Sequence, residues 1–373
     1  MQVELRVIGL VAAALAVASL IAYISTPVVK NLAYKVGAID VPKDNRRMHK
    51  QPIPRLGGLA IFLGFILSVL IFLPLDEQLR GMLLGAVIIV VLGIVDDIRA
   101  LPAMPKFLVQ IAAALIAVLM GNRITILSNP NIFSDNPIWD LGWLSVPVSI
   151  VWVVAITNAV NLIDGLDGLA CGVSTISALT MLVIALCVSD PTVAILMAAL
   201  SGACIGFLPY NLNPAKIFMG DTGATFLGFV MAVGSIDGLF KLYNVISFAV
   251  PFLMLGLPIF DTCSAIVRRV SHGQSPMAAD RSHIHHKLID MGFSQKQAVA
   301  VLYIISAILG LSAVVLTTSG EVRAMMFLIA LCAAGAVGWR IYLNSKLHHD
   351  HHDHEPAANG NEPFFGEEGK SEK

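Results

Sequence analysis

Residues 81–97 read GMLLGAVIIVVLGIVDD, an apolar run that ends in two adjacent aspartates. A membrane-crossing helix needs about 20 apolar residues, so a run of this kind predicts a transmembrane helix. The carboxylates at its end, Asp96 and Asp97, are costly near hydrocarbon, and such groups are by default candidates for function. This stretch therefore predicts a membrane helix bundle and also indicates where a functional site should lie.

The composition of the whole chain agrees with a membrane protein. Its 373 residues are 57% hydrophobic and 13% charged, with a mean hydropathy of +0.79, whereas soluble domains carry about 25% charged residues. The formal net charge of −1 gives no reason to expect a nucleic-acid partner. The five cysteines are odd in number and lack metal-binding spacing, so we interpret them as apolar packing residues.

Eleven apolar runs predict an all-α, polytopic bundle of about eleven transmembrane helices, although the fourth run is short. They lie at residues 5–29, 56–74, 81–97, 105–120, 143–162, 168–188, 192–209, 223–240, 245–268, 298–317 and 323–343. The first run lacks a clear cleavage site, so we expect it to be retained rather than removed as a signal peptide. Pro251 and Pro258 predict that the ninth run is kinked or broken.

The basic residues predict the orientation of this bundle. Most of the 24 Lys and Arg residues follow odd-numbered runs or lie in the C-terminal tail, and such residues favour the cytoplasmic side. We therefore expect the N-terminus outside, in the periplasm, and the C-terminus in the cytoplasm. Residues 1–347 form the expected membrane domain. Residues 348–373 are His-rich without an apolar pattern, which predicts a disordered cytoplasmic tail.

With this orientation, five aspartates fall at helix ends on the cytoplasmic face. They are Asp96, Asp97, Asp164, Asp167 and Asp221. The first two end a helix, where carboxylates oppose the macrodipole, so a compensating cation is expected nearby. A ring of carboxylates on one face predicts a metal-dependent site for a polyanionic substrate.

The segment NAVNLIDGLDGL (residues 158–169) carries two of these aspartates. Asn161, Asp164 and Asp167 recur every three residues, so they share one face if the turn is helical. The glycines allow close approach of a ligand. An ordinary glycine-rich connection would explain the glycines, but not three polar side chains on one face.

The segment NLNPAKIFMGDTG (residues 211–223) places Asp221 at the predicted start of a helix. Free N–H groups there attract anions, and Asp221 could hold a divalent cation beside them. The alternative is an ordinary helix N-cap. Mg²⁺ prefers oxygen ligands and binds few protein groups together with substrate phosphates. We therefore predict Asn161 and Asp221 as ligands of Mg²⁺, with Mn²⁺ as the alternative metal.

Basic and imidazole side chains on the same face are candidates for binding phosphate or sugar. They are Lys50, Arg55, Lys106, Arg281, His283, His285 and His286. Positive-inside topology alone explains several of these charges, and a solvated loop is the alternative for the histidine segment. Lys106 could be the counter-ion of Asp96 and Asp97, or a phosphate ligand.

Four segments together resemble the signature sequences of the polyprenyl-phosphate N-acetylhexosamine-1-phosphate transferase superfamily. They are GIVDD (93–97), NAVNLIDGLDGL (158–169), FMGDTG (218–223) and DRSHIHH (280–286), in the family's order. The resemblance implies transfer of a sugar-1-phosphate from a UDP-sugar to a polyprenyl phosphate, with release of UMP. DRSHIHH is similar to the branch that uses UDP-GlcNAc and undecaprenyl phosphate to initiate O-antigen, common-antigen or teichoic-acid-type glycans. Another UDP-N-acetylhexosamine donor is the alternative. Ile284 interrupts the adjacent histidines that are usual in the muramoyl-pentapeptide branch.

The resemblance also implies roles for individual residues. Asn161 and Asp221 carry the Mg²⁺, Lys106 approaches the pyrophosphate, and Asn211 lies near the nucleotide. Some relatives have Lys at the position of Ala100, so Lys106 must serve instead in this chain.

Four aspartates are predicted to be catalytic. They are Asp96, Asp97, Asp164 and Asp167. Asp96 or Asp97 either removes a proton from the lipid phosphate or positions neighbouring groups. Positioning is an equal alternative because a phosphate monoester, with a second pKa of about 6, is mostly dianionic at neutral pH. Asp164 and Asp167 shape the floor of the site.

Two other classes of protein stay open at this point. A membrane prenyltransferase also uses clustered aspartates and Mg²⁺, although normally in paired DxxxD or DDxxD motifs. An ion-coupled transporter predicts polar groups near the bilayer midplane, whereas these lie at the ends of runs. We expect a multi-pass enzyme of a bacterial inner membrane with a cytoplasmic active site. A UDP-sugar and a polyprenyl phosphate are its expected partners, and a homodimer is an open alternative.

Overall fold

A computed structural model of the chain describes residues 5–41, 51–128, 138–238, 249–275 and 283–318, together with residues 333, 337 and 340. The described chain is mostly helical. Its helices are α1 (Leu5–Val36), α2 (Gly58–Phe72), α3 (Glu77–Ile98), α4 (Ala103–Leu119), α5 (Ser145–Leu162), α6 (Leu169–Cys187), α7 (Pro191–Asn211), α8 (Gly220–Gly238), α9 (Ala249–Met254), α10 (Gly256–Ser271), α11 (Ile284–Asp290) and α12 (Gln295–Thr318).

Two short pairs of antiparallel strands accompany the predicted all-α bundle. Strand β1 (Ile39–Asp40) pairs with β2 (Ile53–Pro54), and β3 (Ile126–Ser128) pairs with β4 (Ile138–Asp140). Strands of two or three residues are too short to show the alternation of apolar and polar residues by which a strand is recognised in a sequence.

Six segments are long and apolar enough to cross a membrane, which makes this a helical, multi-pass membrane protein. They are Leu5–Val36, Glu77–Ile98, Gly142–Leu162, Leu169–Cys187, Pro191–Asn211 and Gln295–Thr317. Helices α2 and α4 are shorter apolar helices. The total of eleven spans and the orientation of the termini stay predictions. The eleventh run, 323–343, lies almost wholly outside the described residues, and the tail 348–373 lies entirely outside them.

The predicted break in the ninth run is confirmed. Helix α9 ends at Met254 and α10 begins at Gly256, so the run is divided at Leu255. Pro258 lies in the first turn of α10. An N–H group in that turn has no partner within the helix, so a proline there leaves no hydrogen bond unmade.

Small residues allow α1 and α7 to pack closely. Ala14, Ala18 and Ala22 of α1 are fully buried. A Cβ atom added to Gly202 or Gly206 of α7 would meet the backbone of α1. Because apolar surface gains little by leaving lipid, membrane helices associate through close packing of this kind.

The N-terminus of α8 is the point at which the fold assembles its site. Helix α8 packs against α3, α5 and α2. A Cβ on Gly58 of α2 would meet the backbone of Gly223, and one on Gly93 of α3 would meet the backbone of Thr222. These glycines therefore let α2 and α3 approach the first turn of α8 directly. The backbone of Gly58 also donates to the carbonyl of Met219 at 2.8 Å.

Candidate active site

The ends of these helices surround a cavity of about 930 Å³, a volume typical of sites for small molecules. Eight of the predicted site residues line it: Arg55, Lys106, Asn161, Asp164, Asp167, Asn211, Asp221 and His286. Four others do not line it: Asp96, Asp97, His283 and His285. The remaining two, Lys50 and Arg281, lie outside the described residues.

Asp97 caps a helix that begins 123 positions later in the chain, at Gly220. Its carboxylate accepts hydrogen bonds from the backbone N–H groups of Asp221 and Thr222, both at 3.0 Å, and from the Thr222 hydroxyl at 2.6 Å. Arg55 Nε donates to the same carboxylate at 3.1 Å. These four bonds fill the roughly four acceptor positions of a carboxylate. The side chain of Asp97 is fully buried, so it positions α8 and Arg55 rather than facing the cavity.

Gly220 is required by this cap. Its φ is +71°, a left-handed conformation that glycine adopts at little cost. A Cβ at this position would collide with both carboxylate oxygens of Asp97 and with the carbonyl of Arg55.

We expect Gly220→Ala to lower the free energy of unfolding by about 1–3 kcal/mol, the usual range for a strained backbone conformation. Activity should fall about tenfold or more, because the Asp97 carboxylate must move. Thermal unfolding in detergent and initial rates measure both effects. Gly9→Ala in α1 is the control, since a Cβ there meets nothing within 4 Å. Equal behaviour of the two variants would contradict the role assigned to Gly220.

Lys106 connects two of the predicted aspartates. Its Nζ donates to Asp96 Oδ2 at 3.1 Å and to Asp221 Oδ2 at 3.0 Å. Asp96 Oδ1 also accepts from the N–H of Leu101 at 2.8 Å. The prediction of a compensating cation near Asp96 and Asp97 is therefore confirmed, but the two aspartates are paired with different cations. Lys106 serves Asp96, while Arg55 serves Asp97.

The connection from α5 to α6 carries Asn161, Asp164 and Asp167. A continuous helical turn through all three is not formed, because α5 ends at Leu162 and the glycines interrupt the helix. All three nevertheless line the same cavity. No hydrogen bond to the side chain of Asn161 or Asp164 is found within the described part of the chain. Both side chains thus offer oxygen atoms to the cavity that accept no hydrogen bond from another described residue.

The surroundings of Asp164 destabilise the ionised form of its carboxyl group. Desolvation in the cavity wall raises its pKa to about 7, and the negative charges of Asp221 and Asp97 add to this effect. A cation bound in the cavity would stabilise the ionised carboxylate of Asp164.

The raised pKa predicts how stability depends on pH. The folded-state pKa of Asp164 lies above its ordinary value of 3.8, so folding disfavours ionisation. The associated stability is fully present below the ordinary pKa and is lost as the pH rises to about 7. In the presence of a chelator, Asp164→Asn should therefore raise the melting temperature more at about pH 8 than at about pH 5. Glu77→Gln, at an exposed carboxylate, is the control. A gain that does not depend on pH would contradict this assignment.

Asp167 joins two loops of the cavity wall. Its Oδ2 accepts from the Asn213 side chain at 2.9 Å and from the N–H of Ala215 at 3.0 Å. Asn213 also donates to Gln295 of α12 at 2.7 Å. Asn211 is buried and donates to the carbonyl of Ile217 at 3.1 Å. Asp167 therefore holds two loops of the cavity wall together, and its predicted catalytic role stays a prediction.

The chemistry of the cavity fits a Mg²⁺ ion. Across the described ranges, no three His, Cys, Asp or Glu side chains converge on a point that could hold a metal. Mg²⁺ does not require such a cage, because it keeps several waters and uses one or two carboxylates plus substrate phosphates. Asn161 and Asp221 supply oxygen atoms to the same cavity, with Asp164 beside them.

The three histidines occupy different positions. His286 lines the cavity, whereas His283 and His285 are buried. Burial lowers the pKa of His285 to about 4, and the neighbouring His286 adds to this shift. His285 is therefore neutral near pH 7. His283 Nδ1 lies 2.9 Å from Asp261 Oδ2.

Sequence reasoning missed three residues that shape the site. Thr222 and Asn213 lie inside the motif segment 211–223, but no role was predicted for them. Asp261 lies in the predicted span 245–268. A carboxylate inside an apolar run is itself a signal of function, and this signal could have identified Asp261.

Comparison with known proteins gives a consistent result. The family model described as glycosyl transferase family 4 matches residues 79–239. A Bacillus subtilis protein named as a probable undecaprenyl-phosphate N-acetylglucosaminyl 1-phosphate transferase is 43% identical, over 79% of this chain and 82% of its own length. The decaprenyl-phosphate N-acetylglucosaminephosphotransferase of Mycolicibacterium smegmatis is 34% identical, over 81% of this chain and 79% of its own. The phospho-N-acetylmuramoyl-pentapeptide-transferase of Moorella thermoacetica is 30% identical, over 74% of this chain and 89% of its own length.

Proposed function

The chain belongs to the polyprenyl-phosphate N-acetylhexosamine-1-phosphate transferase superfamily, within glycosyl transferase family 4, and from this premise we propose its reaction. It transfers N-acetylglucosamine-1-phosphate from UDP-GlcNAc to undecaprenyl phosphate, with Mg²⁺ as cofactor, and releases UMP. The observation that carries the proposal is the single cavity that unites Asn161, Asp164 and Asp221 with the cations Arg55 and Lys106. Carboxylate, amide and basic groups in one cavity suit a metal-bound diphosphate.

The choice of sugar is supported by the relatives and by the histidine segment. The relatives named for N-acetylglucosamine are 43% and 34% identical to this chain, while the muramoyl-pentapeptide transferase is 30% identical. Ile284 interrupts the histidine run, as expected outside the muramoyl-pentapeptide branch. Membership of the superfamily makes this chain a sugar-1-phosphate transferase, which sets aside the prenyltransferase and transporter alternatives.

The reaction is an in-line displacement at phosphorus. An oxygen of the lipid phosphate forms a bond to the β-phosphorus of UDP-GlcNAc, and the bond from that phosphorus to the oxygen shared with the α-phosphate breaks. UMP leaves with the electron pair. Mg²⁺ held by Asn161 and Asp221 would act as a Lewis acid on the diphosphate. Lys106 lines the cavity with its ammonium beside Asp221, where it stabilises charge on the phosphate oxygens.

Asp96 and Asp97 act as positioning groups in this scheme. The oxygens of Asp97 are occupied by α8 and Arg55, and those of Asp96 by Leu101 and Lys106. Neither carboxylate lines the cavity. No general base is required for the nucleophile, because a phosphate monoester is already mostly dianionic at neutral pH.

The same reasoning gives the place and purpose of the reaction. The basic residues Lys30, Arg55, Lys106 and Lys216 line this end of the bundle, which supports a cytoplasmic face under the positive-inside rule. We therefore propose a bacterial inner-membrane enzyme. Its lipid product would initiate a cell-surface glycan of the O-antigen, common-antigen or teichoic-acid type.

Membranes that contain the protein provide the test of this function. They are incubated with undecaprenyl phosphate and radiolabelled UDP-GlcNAc, with Mg²⁺ or with a chelator. We expect Mg²⁺-dependent label in butanol-extractable lipid, and membranes with the Asp221→Ala variant serve as the background. UDP-GalNAc and UDP-MurNAc-pentapeptide are supplied in parallel. Preference for either of these would overturn the proposed donor, and no lipid label from any donor would overturn the reaction.

A further inference from the structure

We propose that Asp261, on α10, is a positioning residue for the transfer reaction. It holds the turn that starts α11 and thereby fixes His286 at the wall of the cavity. The inference rests on the function proposed above and extends it to a residue that does not line the cavity.

Asp261 binds the start of α11 at two points. Its Oδ2 lies 2.9 Å from His283 Nδ1, and its Oδ1 accepts the N–H of Ile284 at 2.9 Å. His283 is the N-cap residue of α11, but its own side chain does not cap the helix. The carboxylate of Asp261 therefore caps α11 from a different helix.

Ring contacts among the three histidines connect the turn held by Asp261 to the cavity wall. The rings of His283 and His285 are stacked, with centroids 5.8 Å apart and planes 7° apart. The centroids of His285 and His286 are 4.3 Å apart. A Cβ on Gly165 would overlap the His285 ring. The three rings thus form a packed layer between α10 and the loop that bears Asp164, so moving the turn would move both His286 and that loop.

The burial of Asp261 supports this positioning role for its carboxylate. Asp261 is 3% exposed and lies in a predicted apolar span, where an unpartnered charge is costly. Within the described residues, both of its hydrogen bonds go to the histidine turn. His285 Nδ1 is buried and has no hydrogen-bond partner among the described residues. The His285 ring therefore contributes packing contacts rather than a hydrogen bond at that atom. His286 is then the member of the layer that can contact a substrate.

A double-mutant cycle tests whether Asp261 acts through His286. Asp261→Ala and His286→Ala should each lower kcat/KM for UDP-GlcNAc about tenfold, and the double variant should be within about twofold of the weaker single variant. Asp261→Asn keeps an acceptor for Ile284 and a group able to donate to His283, so it should restore most of the activity. Thr262→Ala, the neighbour whose buried hydroxyl has no partner in the described chain, should leave the rate unchanged. The proposal would be overturned if the loss of kcat/KM in the double variant equalled the product of the two single losses. It would also be overturned if Asp261→Asn were as inactive as Asp261→Ala.

Amide hydrogen exchange gives a second result that does not depend on turnover. In the purified full chain, exchange across residues 283–290 should be about tenfold faster in Asp261→Ala than in the unaltered protein or in Thr262→Ala. Unchanged exchange would overturn the positioning role. If the unaltered protein transfers label from no UDP-sugar, the proposed function fails, and the exchange experiment alone decides the role of Asp261. If Asp261→Ala does not fold, His283→Ala, which removes one of the two contacts of Asp261, must show faster exchange across residues 284–290 than Thr262→Ala, or the proposal fails.

Discussion

Replacing Asp221 with alanine is expected to lower Mg²⁺-dependent turnover about 1,000-fold. The substitution removes a proposed metal ligand and also one of the two carboxylates that hold Lys106. Loss of Lewis-acid stabilisation amounts to several kcal/mol, and each 1.36 kcal/mol corresponds to about tenfold in rate. Initial rates over a range of Mg²⁺ concentrations measure the effect.

The control for Asp221 is Asp237→Asn, at the opposite end of the same helix α8. It should retain its rate and its half-saturating Mg²⁺ concentration. Undiminished Mg²⁺-dependent turnover in Asp221→Ala would show that this residue is not a metal ligand. A rate loss without a change in the Mg²⁺ requirement would assign Asp221 to the positioning of Lys106 alone.

Asp97→Asn is expected to lower the rate about 100-fold and by the same factor from about pH 6 to about pH 9. The amide keeps the shape of the side chain but removes the negative charge beside Arg55 and two N–H groups of α8. Removing one partner of a fully buried ion pair costs about 3–5 kcal/mol. Arg55 is 29% exposed, so we expect a smaller loss, and 100-fold in rate corresponds to about 2.7 kcal/mol. Because the Asp97 carboxylate already accepts four hydrogen bonds, the expected loss reflects misplacement and not the loss of a proton acceptor.

Asp190→Asn is the matched control for Asp97. Asp190 also caps a helix, α7, by accepting from the N–H of Val193 at 3.1 Å, but it does not line the cavity. We expect little change in stability, because Asn caps a helix about as well as Asp, and no effect on turnover. A rate loss in Asp97→Asn confined to one end of the pH range would instead identify Asp97 as a general base.

Most of the fold could be predicted from the sequence, because lipid imposes simple rules on it. A spanning helix must be apolar for about 20 residues, so the runs stand out. Most of their ends fall within four residues of the observed helix ends, but α1 continues to Val36, seven residues beyond the predicted run 5–29. Pro251 and Pro258 predicted the break between α9 and α10, because proline disrupts a helix through its own backbone and not through distant contacts. The hairpins were not predicted, since β1 and β2 have two residues each.

Eight of the fourteen predicted site residues line the cavity, whereas the pairing of the charged groups could not be predicted. Carboxylates at the ends of apolar runs are conspicuous because they are costly there. Which cation meets which carboxylate depends on packing between distant segments. Arg55 and Asp97 are 42 positions apart, and Asp97 caps α8 across 124 positions. For Asp221 the sequence left an ordinary N-cap role open as the alternative to metal binding, but the cap of α8 comes from Asp97 on another helix.

The fate of the β-phosphate tests the central claim most directly. Purified protein in vesicles that contain undecaprenyl phosphate receives UDP-GlcNAc radiolabelled in the β-phosphate, and lipid and water-soluble products are separated. Transfer of sugar-1-phosphate predicts the label in the lipid fraction, in amounts equal to the UMP released and only with Mg²⁺ present. Label that stays in water-soluble UDP while sugar enters the lipid would show transfer of the sugar alone and would contradict the account.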